Sequence, residues 1–406
     1  MTTVAWAFAA VSLASLLAWL WLAFLREMFW LTDVRLPALS DTLGEAPDAG
    51  SDWPSVAVLV PARNEADTLP GTLPTLLSQD YPGPIAVYVV DDGSDDGTSD
   101  VARHMGEGAD GDRLNVVDGR ALPPGWTGKV WAVQTGVEAS VPMVPDFYLL
   151  SDADIAHPPD SLTRLVSHAL ATSTDLVSLM AWLRVGSLTD RLLLPAFVYF
   201  FAKLYPFRWS NKETHRTAAA AGGCVLLKRT ALERAGGLAS ISGAVIDDCS
   251  LAAAIKRSGG KTWLGLTQDV RSVRSYGSVA PVWDMVARTA YTQLGHSPVA
   301  LVGAVAGLAL IYMAPPVALA GAIGLAAFGR APEVVAVLAI GGGAAWGLMA
   351  ATFTPMLRFY RVTALLAPAL PVAGALYTLF TLASAWRHWS GRGGTWRGRD
   401  LPSASS

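Results

Sequence analysis

The chain has 406 residues, of which 52% are hydrophobic and 16% are charged, and its mean hydropathy is +0.37. This composition excludes an ordinary water-soluble protein and indicates a polar domain joined to membrane-spanning segments. The formal net charge of −3 gives no general attraction for nucleic acid. The chain has two cysteines, Cys224 and Cys249, which are too few for a disulfide framework and are not spaced as in a metal site.

The first apolar segment, residues 4–25, carries no charge and is long enough to cross a bilayer. It lacks the basic start and the small-residue cleavage site of a signal peptide, so we predict an uncleaved anchor over residues 1–30. Arg26 and Arg35 follow this segment, and the positive-inside rule therefore predicts a cytoplasmic location for the next domain. Residues 31–52 are rich in Pro, Asp, Gly and Ala and are predicted to be a linker.

Residues 53–298 have the pattern of an α/β domain. Buried-type strands alternate with helical segments in this region, which predicts a mostly parallel, doubly wound sheet. The predicted strands are residues 55–60, 85–90, 114–117 and 147–150, and the predicted helices are residues 69–77 and 97–105.

The C-terminal part, residues 299–388, contains three apolar stretches that could each cross a membrane, and residues 389–406 form a basic tail predicted to be cytoplasmic. If the tail and the α/β domain share one side, the number of crossings between them is even. We therefore expect one stretch to be re-entrant or interfacial, because backbone broken by proline needs protein cover at membrane depth. The stretches are residues 299–328, 334–354 and 362–386, and the candidate breaks are Pro315-Pro316, Pro368 and Pro371.

Residues 192–209 form an aromatic segment whose apolar core is too short to span a bilayer. Two interpretations are open. The segment could lie in the membrane interface, or it could be a buried core helix of the α/β domain.

Acidic residues follow two of the predicted strands. Asp91 and Asp92 end the second, and Asp152 and Asp154 come after residues 147–150. Since the carboxyl ends of parallel strands face the ligand crevice, these carboxylates are expected to meet there. They would repel a phosphate unless a divalent cation lay between, so the pattern predicts Mg²⁺ or Mn²⁺ at Asp152 and Asp154 and a nucleotide-activated donor.

Four other residues are candidates for the same crevice. Arg63 and Glu65 end the first strand and could bind a base or ribose, although a solvated loop is the alternative. Lys129, in the loop GWTGK, could contact a diphosphate or be a surface lysine. Asp248, before a helical stretch, could be a general base or a helix cap.

The order VPARNEA, VVDDGSDDGT, GWTGK, DAD, GGCVLL, IDDC, apolar spans and TWRGR resembles the family 2 glycosyltransferases. The runs PARNEADTLP, LPPGWTGK, LSDADIAH, LYPFRW, TAAAAGGC and RTAYTQL are similar, more narrowly, to the hopene-associated membrane glycosyltransferases of bacteria. The resemblance covers nearly the whole chain.

This resemblance implies a GT-A fold, a nucleotide-sugar donor, a divalent cation and inversion at the anomeric carbon, in a multi-pass protein of the bacterial inner membrane. By residue, it implies that Arg63, Glu65, Asp91 and Asp92 contact the nucleoside. It also implies that Asp152 and Asp154 bind the ribose, the diphosphate and the metal, and that Asp248 is the catalytic base.

One motif departs from the family. Processive members carry Q-x-x-R-W after the base, whereas residues 288–294 read RTAYTQL. This difference favours transfer of one sugar to a lipid, for which a hopanoid-related acceptor, a polyprenyl phosphate, a glycerolipid or ceramide and a carotenoid stay open. A transporter or scaffold with an inactive nucleotide-binding domain is the non-enzyme alternative. A dinucleotide oxidoreductase is disfavoured because PARNEA stands where G-x-G-x-x-G is needed.

Overall fold

The computed structural model describes residues 2–38, 52–107, 111–391, 395–396 and 399–400. Most of the predicted linker and most of the predicted basic tail lie outside these residues.

The strands of the described residues, in chain order, are β1 (Val56–Ala62), β2 (Ile85–Asp91), β3 (Leu114–Asp118), β4 (Phe147–Ser151), β5 (Ile155–Ala156), β6 (Leu176–Trp182), β7 (Cys224–Lys228), β8 (Thr262–Ser272), β9 (Thr395–Trp396) and β10 (Arg399–Asp400).

The α-helices of the described residues are α1 (Thr2–Leu20), α2 (Leu73–Leu77), α3 (Thr98–Met105), α4 (Gly128–Ala139), α5 (Ser161–Ala171), α6 (Leu188–Leu204), α7 (Phe207–Ser210), α8 (Arg229–Arg234), α9 (Asp247–Arg257), α10 (Val279–Gln293), α11 (Pro298–Leu308), α12 (Ala314–Ala327), α13 (Pro332–Phe359) and α14 (Leu370–Trp389). Short 3₁₀ turns occur at Leu69–Gly71, Gly111–Arg113, Val141–Met143, Leu238–Ile241 and Ala364–Ala369, and π-helical turns at Trp21–Leu25 and Ala309–Met313.

Eight strands form one mixed sheet in the order β3-β2-β1-β4-β7-β6-β8-β5. Strands β1, β2, β3 and β4 are paired in parallel, as are β6 and β8, whereas β5 and β7 run antiparallel to their neighbours. The predicted fold class, a mostly parallel GT-A-like sheet domain with apolar helices at both ends of the chain, is confirmed.

Helices cover both faces of this sheet. Val58 and Val60 of β1 pack with Leu73 and Leu165 on one side, and Leu59 packs with Val133 and Ile255 on the other. Successive side chains of a strand point to opposite faces, so a fully apolar strand such as β1 fits a sheet that is buried on both sides.

Tertiary contacts divide the chain into two units. The sheet unit comprises Asp33–Arg184, Phe207–Ser275 and Thr395–Ser406, and the helical unit comprises Met1–Thr32, Val185–Pro206 and Tyr276–Gly394. The catalytic domain predicted for residues 53–298 is therefore interrupted by a segment of the helical unit, and its last residues also belong there. The sequence pattern gave no signal for this interruption because α6 is as apolar as a core helix.

Four helices of the described residues are long and apolar enough to cross a membrane: Thr3–Leu25, Pro298–Ala327, Pro332–Phe359 and Ala364–Trp389. They coincide with the four apolar stretches predicted from the sequence. Small residues allow close helix contacts in this unit, as in membrane bundles. A Cβ atom on Gly341 would lie 2.5 Å from Ser12 Oγ, and one on Gly342 would lie 2.9 Å from Ala318 Cβ.

The aromatic segment, residues 192–209, falls mainly in α6 of the helical unit. Tyr199 is fully buried, its hydroxyl meets Thr352 Oγ1 at 2.8 Å, and its ring packs 5.3 Å from that of Phe353. Residues 188–204 are therefore not a core helix of the α/β domain. The interfacial alternative stays a prediction.

Candidate active site

The candidate site lies at the edge of the sheet where β1, β2 and β4 end. Ala62 and Asp91 are register partners at the ends of β1 and β2, and Ser151 ends β4. Arg63, Asp92 and Asp152 follow these strands directly, so parallel pairing alone brings them to one edge.

Lys129 lies at the centre of the site and contacts two carboxylates. Its Nζ lies 2.8 Å from an oxygen of Asp152 and 3.3 Å from one of Asp247, although Asp152 follows β4 and Asp247 begins α9. Burial alone would favour the neutral amine, but Asp152, Asp247 and Asp248 together raise the pKa of Lys129 above its ordinary range. A permanently charged ammonium therefore lies among three carboxylates.

Asp248 is held in the first turn of α9. Its Oδ2 accepts a hydrogen bond from the Gly222 amide at 2.8 Å, and its Oδ1 accepts one from the Cys249 amide at 2.7 Å. Burial and the neighbouring charge of Asp247 raise the pKa of Asp248 to about 6, against the opposing influence of Lys129. The carboxylate is thus a stronger base than an exposed aspartate, yet it is mostly ionised at neutral pH.

Gly222 allows the close approach of these groups. A Cβ atom at this position would lie 3.2 Å from Lys129 Nζ and 3.3 Å from Asp248 Oδ2. The small-residue run before β7, noted in the sequence for tight packing or ligand approach, therefore serves the site itself.

The two predicted metal ligands have different surroundings. Asp152 contacts Lys129, and partial burial raises the pKa of Asp152 although the Lys129 charge opposes this. Asp154 Oδ2 accepts hydrogen bonds from Ser272 Oγ at 2.9 Å and Arg274 Nε at 3.1 Å. Among the described residues, no three His, Cys, Asp or Glu side chains converge on one potential metal position.

A metal whose remaining ligands are substrate phosphates still fits the carboxylates present. Asp152 and Asp247 converge on the single Lys129 ammonium, and Mg²⁺ at phosphate sites commonly uses only one or two carboxylates. The role of Asp154 as a ligand stays a prediction, and Ser272 and Arg274 both donate to its Oδ2.

The residues predicted to meet the nucleoside form the rim of the same edge. Arg63 donates through Nη1 to the carbonyls of Asp92 and Gly93, the latter at 2.8 Å. Glu65 is buried and lies 3.6 Å from Arg274 Nη2.

Asp91 binds within its own loop. Its carboxylate accepts hydrogen bonds from the Ser94 amide and from the hydroxyls of Ser94 and Ser99. These contacts shape the turn after β2, and direct binding of a donor by Asp91 stays a prediction.

Three residues of this region carried no prediction of a role in the site. Asp247 is the second carboxylate on Lys129, and Arg274 bridges Asp154 and Glu65. His157 is buried behind β4 and contacts Ser151 Oγ at 2.9 Å, and burial lowers its pKa to about 4. Asp247 stands next to Asp248 in the sequence, and this acidic pair could have indicated it. Arg274 lies in no sequence motif that predicts a role.

Comparison with known proteins identifies the family. The family model described as "Glycosyltransferase like family 2" matches residues 54–288, more than half of the chain. The chain belongs to this family. The fold agrees with a solved structure titled as a mannosyltransferase from Pyrobaculum calidifontis in complex with GDP-Man and Mn²⁺. That likeness has a TM-score of 0.53 at 21% identity, covering 92% of this chain and 99% of the other.

Curated relatives match shorter parts of this family 2 chain. An N-acetylglucosaminyltransferase of Mesorhizobium japonicum is 38% identical over 140 residues, which are 34% of this chain and 30% of the relative. Glycosyltransferase AglE of Haloferax volcanii is 34% identical over 128 residues, 31% of this chain and 39% of the relative. The matches thus span about a third of the length of these relatives.

Proposed function

We propose that this protein is a membrane-bound inverting glycosyltransferase that moves one sugar from a nucleotide-sugar donor to a lipid acceptor at the cytoplasmic face. The observation that carries the proposal is the position of Asp248. Its carboxylate is fixed by two backbone amides beside Lys129, at the edge where the parallel strands end and open α/β sheets bind ligands. Family membership supports the same reaction class.

In this proposal Asp248 removes the proton from the acceptor hydroxyl as its oxygen attacks the anomeric carbon. The bond from that carbon to the diphosphate breaks on the opposite side, and the nucleoside diphosphate leaves with the electron pair. Lys129 offsets the charge that develops on the diphosphate, because its ammonium is already fixed in a partly desolvated site. Arg63, Glu65, Asp91 and Asp92 bind the nucleoside portion.

A divalent cation, Mg²⁺ or Mn²⁺, would be held by Asp152 together with the donor phosphates, with Asp154 as a further candidate ligand. When bound it supplies a Lewis acid that neutralises the diphosphate. The solved structure from Pyrobaculum calidifontis, whose title includes Mn²⁺, is compatible with this assignment.

The acceptor is proposed to be a lipid because the chain carries four apolar helices and lacks the processive motif. A hopanoid-related acceptor follows from the narrower sequence resemblance, and a polyprenyl phosphate, a glycerolipid or ceramide and a carotenoid are the alternatives. The named activity of the Mesorhizobium relative makes N-acetylglucosamine one sugar to test.

We further propose three crossings of the bacterial inner membrane, with the last apolar helix re-entrant. Within the helical unit, α1, α12 and α13 pack together, whereas α14 packs mainly against α10. Arg387 pairs with Asp284 at 2.7 Å, and Tyr291 N donates to Ser384 Oγ at 3.0 Å. The helix touches α13 mainly through the 3₁₀ turn that precedes it, which contains Pro368. Two crossings then lie between the α/β domain and the basic tail, so this arrangement places both on the same side of the membrane.

The proposed function is tested with the purified full chain, a panel of nucleotide sugars and a native lipid extract, followed by mass spectrometry of the lipids. We expect one new lipid whose mass increases by a single sugar residue. The product should be absent with Asp248→Asn. Donor binding without any glycosylated lipid, across several native extracts, would instead favour a scaffold with an inactive nucleotide-binding domain.

A further inference from the structure

The helical unit contains a cationic site that the proposed transfer reaction does not use. Lys203, near the end of α6, donates from Nζ to Tyr312 Oη at 2.9 Å. The same ammonium lies 4.7 Å from the ring centre of Tyr312 and 5.3 Å from that of Phe200. Within the described residues it therefore meets one hydroxyl and two aromatic faces, and no carboxylate. Two of its three donors are left for another ligand.

Arg26 places a second positive charge beside the first. Its Nε donates to the carbonyl of Lys203 at 2.7 Å, and its Nη2 donates to that of Leu204 at 3.3 Å. The guanidinium thereby caps the C-terminal carbonyls of α6, as basic side chains at helix ends do. This contact fixes Arg26 within the same site, and burial together with the Arg26 charge lowers the pKa of Lys203 to about 7.

The position of the pair within the apolar helices is informative. Tyr312 is fully buried near the midpoint of the 30-residue candidate span Pro298–Ala327, and Arg26 directly follows the span Thr3–Leu25. Leu25 and Leu204, next to the two cations, are 70% and 52% exposed. Ionisable groups at membrane depth are costly and mark functional sites.

We propose that Lys203 and Arg26 form a binding site for the phosphate group of a membrane lipid. Two adjacent cations without a carboxylate on Lys203 call for an anionic ligand, and phosphate oxygens accept hydrogen bonds from both ammonium and guanidinium groups. Phe200 and the exposed leucines provide apolar contact for the lipid chain. The phosphate could belong to a phospholipid headgroup or to a polyprenyl phosphate.

The plain alternative is that both side chains only extend toward the headgroup region as anchors. Two observations favour a built site. The Lys203 ammonium points to a buried tyrosine hydroxyl and packs on aromatic rings, and Arg26 is held in place by two hydrogen bonds, from Nε and Nη2, to protein carbonyls. Side chains that merely reach for the interface would not need these contacts.

Native mass spectrometry of the full-length chain in detergent micelles tests the site without any donor. The micelles are titrated with phosphatidylglycerol, with a polyprenyl phosphate, or with uncharged diacylglycerol. We expect retention of a phosphate lipid but not of diacylglycerol, and about a tenfold or greater loss of that retention in Lys203→Gln. The phosphate lipid retained at the lower concentration identifies the source of the phosphate.

Arg358→Gln is the matched control, since it removes an exposed positive charge from the end of another candidate span. Its lipid retention should change less than about twofold, and Lys203→Arg should restore most of the binding lost in Lys203→Gln. Equal losses in Lys203→Gln and Arg358→Gln would show general charge attraction and overturn the proposal. Equal retention of diacylglycerol would overturn it as well.

Tyr312→Phe covers the case in which Lys203→Gln unfolds. It keeps the ring but removes the hydroxyl that positions the ammonium, so we expect a several-fold loss of the phosphate lipid. Unchanged retention in Tyr312→Phe and in a folded Lys203 variant would contradict the site. These measurements record lipid retention and no sugar transfer. They therefore test the phosphate-lipid site even if the proposed enzymatic function proves wrong.

Discussion

At the scale of single residues, the site combines features that oppose stability. Lys129, Asp152, Asp247 and Asp248 lie together in a partly desolvated place, and ionisation of Asp248 is disfavoured there. Such arrangements are retained where chemistry needs them, because a base works best when its pKa lies near the working pH. The same residues should therefore separate activity from stability when they are changed.

We expect Asp248→Asn to lower turnover by about two to four orders of magnitude while the chain stays folded. An Asn side chain removes a charge that the folded state disfavours, but its single oxygen can accept only one of the two amide hydrogen bonds that Asp248 accepts from Gly222 and Cys249. These effects oppose each other, so the melting temperature should change little. Single-turnover rates and thermal unfolding measure both effects, and Asp269→Asn, an exposed carboxylate paired with Arg164, is the control. Unfolding of the variant would show that Asp248 is mainly a helix cap.

The pH dependence of kcat/KM should show an acid limb near pH 6. The pKa of Asp248 in the folded chain is about 6, above its ordinary value of 3.8, so the group becomes protonated as the pH falls through 6. A protonated carboxyl cannot accept the acceptor proton, and the rate should fall about tenfold per pH unit below that point. A flat profile between pH 5 and pH 7 would argue against Asp248 as the base.

Gly222→Ala should impair catalysis more than stability. The added methyl would lie within 3.3 Å of both Lys129 Nζ and Asp248 Oδ2, so one of the two charged groups must move. We expect a loss of kcat of about tenfold or more, since small displacements of catalytic groups are costly. Gly71→Ala is the control because a Cβ atom there meets nothing within 4 Å. Similar kinetics for the two variants would remove Gly222 from the site.

At the scale of elements, α6 is the helix whose place the sequence did not reveal. Its start is a capping box, in which the Ser187 hydroxyl accepts from the Asp190 amide and the Asp190 carboxylate accepts from the Ser187 amide. Asp190 is fully buried and also accepts from the amides of Gly186 and Gly277. One carboxylate therefore fixes the helix start to the segment that enters α10.

Asp190→Ala should destabilise the helical unit by about 1–3 kcal/mol or more, because buried amide donors lose their acceptor. Thermal unfolding in detergent measures the change. Asp284→Ala is the control, since Asp284 forms an exposed ion pair with Arg387, and such pairs contribute about 0–1 kcal/mol. Equal shifts in the two variants would mean that the Asp190 amides find other acceptors.

At the scale of the whole molecule, three crossings and a re-entrant last helix make a testable topology. Exposed positions before and after that helix, Arg361→Cys and Ser390→Cys, should both react with a membrane-impermeant maleimide from the same side. Phe328→Cys, in the turn between α12 and α13, should react from the other side. Cys224 and Cys249 are buried, so the unaltered chain gives the background. Reaction of Arg361→Cys and Ser390→Cys from opposite sides would show a fourth crossing.

The sequence by itself determined the elements that rest on local pattern. Continuous apolar strands, the four long apolar helices and the acidic residues after β2 and β4 are all visible as composition and spacing, and parallel pairing places strand ends together. It also gave the family, because its motifs follow one another in a fixed order.

Only the tertiary structure decided which distant groups meet. Nothing local shows that Lys129 joins Asp152 to Asp247, that Arg274 reaches Asp154, or that α6 packs with the apolar helices and brings Lys203 to Tyr312. These contacts join residues far apart in the chain, and their geometry depends on how whole helices and strands pack. The sequence therefore predicts the kind of chemistry, and the packing decides which charged groups lie together at the proposed site.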